Sequence, residues 1–139
     1  MTLQLILGLI MFHPQKLVIC RDCHCEYDSS IKVYSGKELN EVLYKASKLE
    51  NFQFTDAEKK AAEKIVWRES RGKPSDVTSR SSSKGLFGLL DSTRRDVRVK
   101  HNLCPICQTR SGIRYIKARP EYRGSFLRAW RFHIRNNWY

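Results

Sequence analysis

The chain has 139 residues, which is enough for one packed core and too few for two independent ones. Hydrophobic residues make up 41% and charged residues 29%, proportions that are ordinary for a folded protein and exclude wholesale disorder. The formal net charge is +12, and the whole excess follows residue 60, since residues 1–60 carry eight basic and eight acidic side chains. We therefore expect the second half to meet a polyanion: nucleic acid, bacterial cell wall or an acidic membrane.

An apolar run of ten residues, from Leu3 to Phe12, lies near the start of the sequence. A membrane-spanning helix needs about 20 apolar residues. An export signal would have a basic start and a small-residue cleavage site, and neither is present here. We therefore predict a buried strand or helix at this run and no membrane span, with a degenerate export signal or a membrane anchor as the alternatives.

Two C-x-x-C motifs, about 80 residues apart, contain four of the five cysteines. Each motif brings two thiolates together in a tight turn, and two such pairs supply the four sulfurs of a tetrahedral structural zinc site. The predicted Zn²⁺ ligands are Cys20, Cys23, Cys104 and Cys107. Such a site would join the N-terminal segment to a distant loop and would take no part in chemistry.

Disulfides are the alternative for these cysteines, although the odd count and the C-x-x-C spacing argue against a secreted disulfide framework. Cys25 is left over from the two pairs, and we predict a free thiol there. His24 and His101 lie beside the motifs and are the fallback ligands for the metal.

The first half of the chain predicts a short strand and two helices. Residues Ile31 to Tyr34 alternate as in a strand. Ser35-x-x-Glu38 is a capping-box pattern, and it opens an amphipathic helix of roughly four turns. The apolar positions of that helix are Leu39, Val42, Leu43, Ala46 and Leu49. Thr55-x-x-Glu58 is a second capping box, and the helix it begins has an apolar stripe formed by Ala61, Ala62, Ile65 and Val66.

The second half predicts a polar loop over residues 75–84, a short apolar piece over 85–90 and a basic stretch over 91–110. A short helix around Ile113 to Ile116 should end near Pro120, and a last amphipathic helix should run from Ser125 to about Asn136. The expected fold is mainly α and forms one structural domain. Residues 1–34 would be an N-terminal strand-and-zinc-knuckle segment, and residues 35–139 a helical part with the second knuckle in a loop.

Glu69 is an unusual residue in the second predicted helix. It follows Ile65 by four residues and Val66 by three, and therefore lies on the apolar face. Burial disfavours a charged carboxylate and raises its pKa, so that such a group can hold a proton at neutral pH and act as a general acid. In the alternative interpretation Glu69 rotates outward and pairs with Arg68 or Arg71.

Several short motifs follow one another from this helix to the end of the chain. Glu69-Ser70-Arg71 followed by Pro74 fits E-S-x-x-x-P, and Val77-Thr78-Ser79 supplies small hydroxyl residues in the next turn. The segment 85–93 (GLFGLLDST) is close to G-L-[MF]-Q…P-x-T, and 112–116 (GIRYI) fits G-x-x-Y-[LI]. Residues 122–125 (YRGS), 129–130 (AW) and 137–139 (NWY) correspond to a Y-G-S…A-W…W-Y ending.

In this order the motifs resemble a lysozyme-like lytic transglycosylase domain of the soluble lytic transglycosylase type, within the goose-lysozyme superfamily. The resemblance covers about 75 of the 139 residues. It departs from the family pattern at Gly88, where the family has glutamine, and at Asp91, where it has proline. The C-x-x-C motifs are also outside that pattern.

The resemblance implies cleavage of the β-1,4 bond between N-acetylmuramic acid and N-acetylglucosamine in peptidoglycan, with Glu69 as the catalytic acid and base and with no catalytic cofactor. The residues that it implies for substrate binding are Thr78, Ser79, Gly85, Leu86, Phe87, Tyr115 and Trp130. No second carboxylate is required for a 1,6-anhydro product. Asp76 and Asp91 are the nearest ones for hydrolysis.

The partners implied are peptidoglycan glycan strands and other phage virion or tail proteins. The resemblance, with reduced metal-binding cysteines, favours a phage endolysin made in the host cytoplasm or a virion- or tail-associated lysin, acting in the bacterial cell wall. Two other functions fit the sequence. Paired C-x-x-C motifs and a +12 charge also describe a zinc-stabilised nucleic-acid-binding protein. A catalytically inactive lysozyme-like virion component is the third possibility.

Overall fold

Five α-helices and one two-stranded antiparallel sheet form the regular structure of the part of the chain that the computed structural model describes, residues 16–77, 82–99 and 102–137. The elements are β1 (Leu17–Cys20), β2 (Cys25–Asp28), α1 (Gly36–Leu49), α2 (Asp56–Ser70), α3 (Asp91–Asp96), α4 (Pro105–Ala118) and α5 (Phe126–Asn136). The prediction of a mainly α fold with a small N-terminal strand segment is confirmed. The apolar run at 3–12, Thr78, Ser79, His101 and the final Trp138-Tyr139 lie outside the described residues.

The two strands flank the turn of the first C-x-x-C motif. Leu17 pairs with Asp28 and Cys20 pairs with Cys25, so the hairpin closes directly over the cysteines. The predicted strand at Ile31–Tyr34 is wrong, because this extended segment pairs with no strand in the described structure. Tyr34 in this segment is buried and donates its backbone N–H to the Gly72 carbonyl at 2.7 Å.

The two amphipathic helices predicted in the first half are both present. α1 buries Leu39, Val42, Leu43 and Ala46, while Leu49 at its last turn remains 46% exposed. Ser35 occupies the N-cap of α1 without a side-chain capping bond. At α2 the Thr55 hydroxyl accepts the Glu58 backbone N–H at 3.2 Å, which is half of a capping box.

The helix predicted around Ile113 is also present, but it begins earlier, at Pro105, with Cys104 at its N-cap. The second C-x-x-C motif therefore forms the first turn of α4. The prediction that this motif lies in a loop is wrong. Proline suits the first helical turn, where a backbone N–H would lack a partner within the helix. A helical start holds Cys104 and Cys107 on one side of the chain, one turn apart.

Helix α4 runs through the centre of the core. Ile106, Ile113 and Ile116 are each at most 1% exposed, and α4 packs along α1. Gly112 lets the Phe87 ring approach the helix closely, because a Cβ at this position would lie 2.9 Å from that ring. The motif around residue 112 therefore serves the packing of the loop at 85–89 on α4.

Helices α2 and α5 pack together and run in the same direction. Near their starts, the Glu58 carboxylate accepts the Ser125 hydroxyl at 2.6 Å and the Phe126 backbone N–H at 2.5 Å. Near their ends, the Arg68 guanidinium donates to Asn137 Oδ1 at 3.1 Å. Within the described ranges, no helix is both long enough and apolar enough to cross a lipid bilayer.

Replacing Glu58 should loosen this helix pair. Glu58→Ala removes a carboxylate that accepts hydrogen bonds at the N-terminus of α5, and we expect the free energy of unfolding to fall by about 1.5–3 kcal/mol. Urea denaturation measures the change. Glu38→Ala is the matched control, since Glu38 is exposed and also lies in the first turn of a helix. Equal losses in the two variants would contradict a special role for Glu58.

Candidate functional site

The five cysteines form one cluster between the N-terminal hairpin and the start of α4. The sulfurs of Cys20, Cys23, Cys104 and Cys107 all lie within 4.8 Å of one another, and all four residues are buried. A tetrahedral ion with bonds of about 2.3 Å to sulfur separates its sulfurs by about 3.8 Å. These four side chains are therefore close enough to hold one metal ion, as their spacing predicts.

A disulfide joins Cys23 to Cys107 within the same cluster. The Cys20 sulfur lies 3.3 Å from that of Cys107, and the Cys25 sulfur lies 3.6 Å from that of Cys104. Disulfide and four-thiolate metal site exclude each other, since both need the same sulfurs. Either one fastens the hairpin to α4 across 84 residues of sequence.

Glu69 lies in the last turn of α2, with its carboxyl partly withdrawn from water. The side chain is 22% exposed, and the helix ends at the next residue, Ser70, with Arg71 in a left-handed conformation at its C-cap. Burial raises the pKa of Glu69 to about 7, with the nearby charge of Asp76 adding to the rise and that of Arg68 opposing it. Glu69 therefore keeps its proton to a higher pH than an exposed glutamate does, as a general acid requires.

Helix α5 supplies a histidine to the Glu69 carboxyl. His133 is only 5% exposed, and its Nδ1 atom lies 3.8 Å from Glu69 Oε1. The sequence places His133 on the apolar face of the last helix, but nothing in its spacing indicates the acid that it meets. Only the packing of α2 against α5 brings His133 to Glu69, and this tertiary contact leaves no local pattern in the sequence.

Gly88 leaves the space that the Glu69 carboxyl occupies. Its backbone is left-handed, with φ of +59°, and a Cβ added there would lie 2.6 Å from Glu69 Oε2. The Ser83 hydroxyl, which donates to the Gly88 carbonyl at 2.6 Å, borders the same space. The glycine at residue 88 thus makes room for the Glu69 carboxyl.

The structure places Gly85, Leu86 and Phe87, which were predicted to bind substrate, in the core. All three are buried, and the Leu86 and Phe87 side chains are at most 2% exposed within the core. The Leu86 backbone is also engaged, since its N–H donates to Gln108 Oε1 and its carbonyl accepts the Ser70 hydroxyl. The Leu86 and Phe87 side chains therefore present almost no surface to a ligand.

The two aromatic residues predicted to bind substrate differ in position. Tyr115 is 8% exposed and lies edge-on to Tyr122, so little of its ring can meet a ligand. The Glu69 charge contributes to the raised pKa of Tyr115, although burial is the main cause. Trp130 is half-buried on α5 and stacks on His133, with ring centres 5.7 Å apart.

Asp76 and Asp91 are the two carboxylates that the sequence offers for hydrolysis, and of these only Asp76 influences Glu69 electrostatically. It contributes to the raised pKa of the Glu69 carboxyl through its charge. Asp91 instead pairs with Arg94, and lies 3.8 Å from the Lys84 ammonium, at the start of α3. Asp91 therefore serves the local structure, and Asp76 is the carboxylate available near the acid.

Alanine at residue 88 should push the Glu69 carboxyl toward water. Gly88→Ala should lower the pKa of Glu69 and cost roughly 1 kcal/mol or more of stability, because the left-handed backbone also disfavours a Cβ. Carboxyl-carbon NMR titration measures the pKa. Gly36→Ala is the matched control, since Gly36 has a φ of +50° with no atom near its Cβ position. An unchanged Glu69 pKa in Gly88→Ala would contradict this geometry.

Glutamine at residue 69 should stabilise the protein in alkaline solution. The pKa of Glu69 is about 7 in the folded state and 4.5 in an ordinary glutamate. Between these two pH values the folded state keeps a proton that the unfolded state releases, so the free energy of unfolding falls as the pH rises from 4.5 to 7. We expect Glu69→Gln to match the parent protein near pH 4 and to exceed it by about 1–3 kcal/mol at pH 8. Urea denaturation at both pH values tests this, and an equal difference at both would contradict it.

Comparisons with known proteins identify no relative of this chain. No family model, no curated protein and no solved structure matches it.

Proposed function

We propose that this protein is a lysozyme-like enzyme that cleaves peptidoglycan glycan strands at the β-1,4 bond between N-acetylmuramic acid and N-acetylglucosamine. The observation that carries the proposal is the Glu69 carboxyl, partly buried at the end of α2, with a pKa near 7. A carboxyl in this state can give a proton to a leaving group and take one back. The order of the motifs from Glu69 to the end of the chain supports the same assignment.

In the first step, protonated Glu69 donates its proton to the glycosidic oxygen. The bond between this oxygen and C1 of the muramic acid breaks, and positive charge develops on the sugar ring as an oxocarbenium-like state. The Glu69 carboxylate that remains lies beside this charge and stabilises it. His133, 3.8 Å from Oε1 and fixed in the core, restricts the orientation of the carboxyl during both transfers.

In the second step, the Glu69 carboxylate takes the proton of the muramic acid 6-hydroxyl, and this oxygen forms a bond to C1. The product is a 1,6-anhydro sugar, the proton count on Glu69 is restored, and no water is consumed. A second carboxylate is not needed for this route. If water replaces the 6-hydroxyl, Asp76 is the second carboxylate that would assist it, since its charge acts on Glu69, and the product then has a reducing end.

Glutamine at residue 69 should abolish lysis of purified peptidoglycan, to below a few per cent of the parent rate, because the amide cannot transfer the proton. Mass analysis of the products gives the reaction type: anhydro-muropeptides indicate a transglycosylase, and reducing ends indicate a lysozyme. The rate should also fall as pH rises above about 7, where Glu69 loses its proton. If Glu69→Gln still lyses peptidoglycan, Glu69 is not the catalytic acid.

We further propose that the reduced protein holds one structural Zn²⁺ between the hairpin and α4. Four buried cysteine sulfurs lie within 4.8 Å of one another, and once reduced they match the donor set that zinc prefers. The N-cap position of Cys104 presents two of them from one helical turn. The bound ion would supply no chemistry to the reaction. The residues that would hold it are Cys20, Cys23, Cys104 and Cys107.

Elemental analysis of protein purified under reducing conditions should find one zinc per chain, and chelation should lower the melting temperature, because structural zinc contributes to the free energy of folding. Cys20→Ser should lose the metal. Cys25→Ser is the matched control and should retain it, since Cys25 lies outside the set of four. Metal-free protein with a protected Cys23–Cys107 disulfide would contradict the zinc assignment.

A further inference from the structure

The cysteine cluster between the hairpin and α4 contains five sulfurs, one more than a tetrahedral metal site uses. Cys25 supplies the additional one. Its side chain is half-buried, and its sulfur lies 3.6 Å from that of Cys104, which belongs to the proposed metal site. Side-chain rotations that move these two sulfurs about 1.5 Å closer would bring them to the length of a disulfide bond. Cys25 therefore has a partner within reach inside the cluster.

Two crosslinks can lie side by side between the hairpin and the first turn of α4. Cys23 is bonded to Cys107, and Cys25 faces Cys104. The two hairpin cysteines lie two residues apart at its closed end, and the two cysteines of α4 are one helical turn apart. Each pair takes one cysteine from each element, so closing the second bond needs no sulfur that the first bond uses.

Cys20 takes no part in this pairing, but a four-sulfur metal site needs it. Its sulfur lies 3.3 Å from that of Cys107 and accepts a hydrogen bond from the Asn102 side-chain amide at 3.8 Å. An amide N–H donor in this position suits a metal-bound thiolate, whose negative charge makes it a good acceptor. Cys20 therefore belongs to the metal set alone and Cys25 to the disulfide set alone. Two overlapping sets of four account for an odd number of cysteines.

We propose that the cluster has two states, each of which fastens the hairpin to α4, and that the redox conditions around the protein select between them. In the reduced state one Zn²⁺ is bound by Cys20, Cys23, Cys104 and Cys107. In the oxidised state the metal is absent, and the disulfides Cys23–Cys107 and Cys25–Cys104 join the same elements. The inference rests on the zinc site proposed above and is independent of glycan cleavage.

Oxidation of the zinc state consumes two molecules of a small disulfide, such as oxidised glutathione. For each protein disulfide, one cysteine sulfur attacks the small disulfide and expels a thiolate, and the partner cysteine then displaces the second thiolate from the mixed disulfide. Four protein sulfurs lose four electrons in all, and the two small disulfides accept them. Zn²⁺ leaves, Cys20 takes up a proton in place of the one that Cys25 loses, and the four small thiolates take protons from water.

The two states suit different surroundings. A reducing compartment keeps thiols reduced and available to zinc, whereas an oxidising one favours disulfides. The protein therefore keeps the hairpin attached to α4 when it passes from one to the other. Without Cys25, the oxidised state would retain a single crosslink, and Cys104 would keep a free thiol.

Peptide mapping of the parent protein tests the pairing. Trypsin separates the hairpin cysteines of residues 22–32 from the α4 cysteines of residues 101–110, and it leaves Cys20 in a third peptide. The zinc-loaded protein is treated with oxidised glutathione, alkylated and digested without reductant. We expect release of one Zn²⁺ per chain, the two peptides joined with the loss of four hydrogens, and Cys20 in neither disulfide. If the zinc stays bound, or if Cys25 is alkylated or carries glutathione, the proposal is overturned.

Two matched single substitutions separate the metal set from the disulfide set. Cys20→Ser should lose the zinc of the reduced protein and still form both disulfides on oxidation. Cys25→Ser should keep the zinc and form one disulfide. Its melting temperature should equal that of the parent protein in the zinc state and fall below it in the oxidised state. Equal behaviour of the two variants would contradict the division of the cluster into two sets.

The double substitution Cys20→Ser with Cys23→Ser identifies the partner of Cys25. Oxidation should join Cys25 to Cys104 and leave Cys107 alkylated, and a bond from Cys25 to Cys107 would overturn the pairing. If the reduced parent protein binds no zinc, the metal site and this inference both fail. If it binds zinc but forms no second disulfide, the inference alone fails. Lysis of peptidoglycan is measured separately and decides the proposed enzyme activity.

Discussion

The contact between Glu58 and the start of α5 sets the geometry on which the candidate site depends. One carboxylate accepts the Ser125 hydroxyl and the Phe126 and Leu127 backbone N–H groups, and it thereby fixes the register of α5 along α2. Two turns further along α5, this register brings His133 to Glu69. The capping-box glutamate of α2 thus caps a different helix, and α2 is held by its partner as well as by its own hydrogen bonds.

Burial of Glu69 carries a cost in stability that the surrounding packing has to offset. Removing a carboxylate from water favours its neutral form, and folding is correspondingly less favourable when the group must ionise. The left-handed Gly88 leaves the room that this side chain occupies, since a Cβ there would lie 2.6 Å from Glu69 Oε2. Such a compromise between stability and a reactive group is typical of functional sites.

Local patterns predicted most of the helices and the residues of the cysteine cluster. The apolar stripe of α1, the Thr55 cap of α2, the Ser125 start of α5 and the C-x-x-C pairs are each encoded within a few residues, and all are present. The sequence did not predict that Tyr34 bonds to the turn after α2, that α4 begins at Pro105, or that Phe87 is buried against Gly112. These depend on which elements pack together. The meeting of His133 with Glu69 likewise follows from tertiary contact and leaves no local signal.

The link between the hairpin and α4 encloses most of the fold in one closed loop. Cys23 and Cys107 are 84 residues apart, and the segment between them contains α1, α2, α3 and Glu69. Closing a loop of this length removes conformational freedom from the unfolded chain, worth about 4–5 kcal/mol in the chain-entropy model. A protease that cut the backbone once inside the loop would leave two fragments still held together. The nicked molecule would come apart only when the cysteine link was also opened.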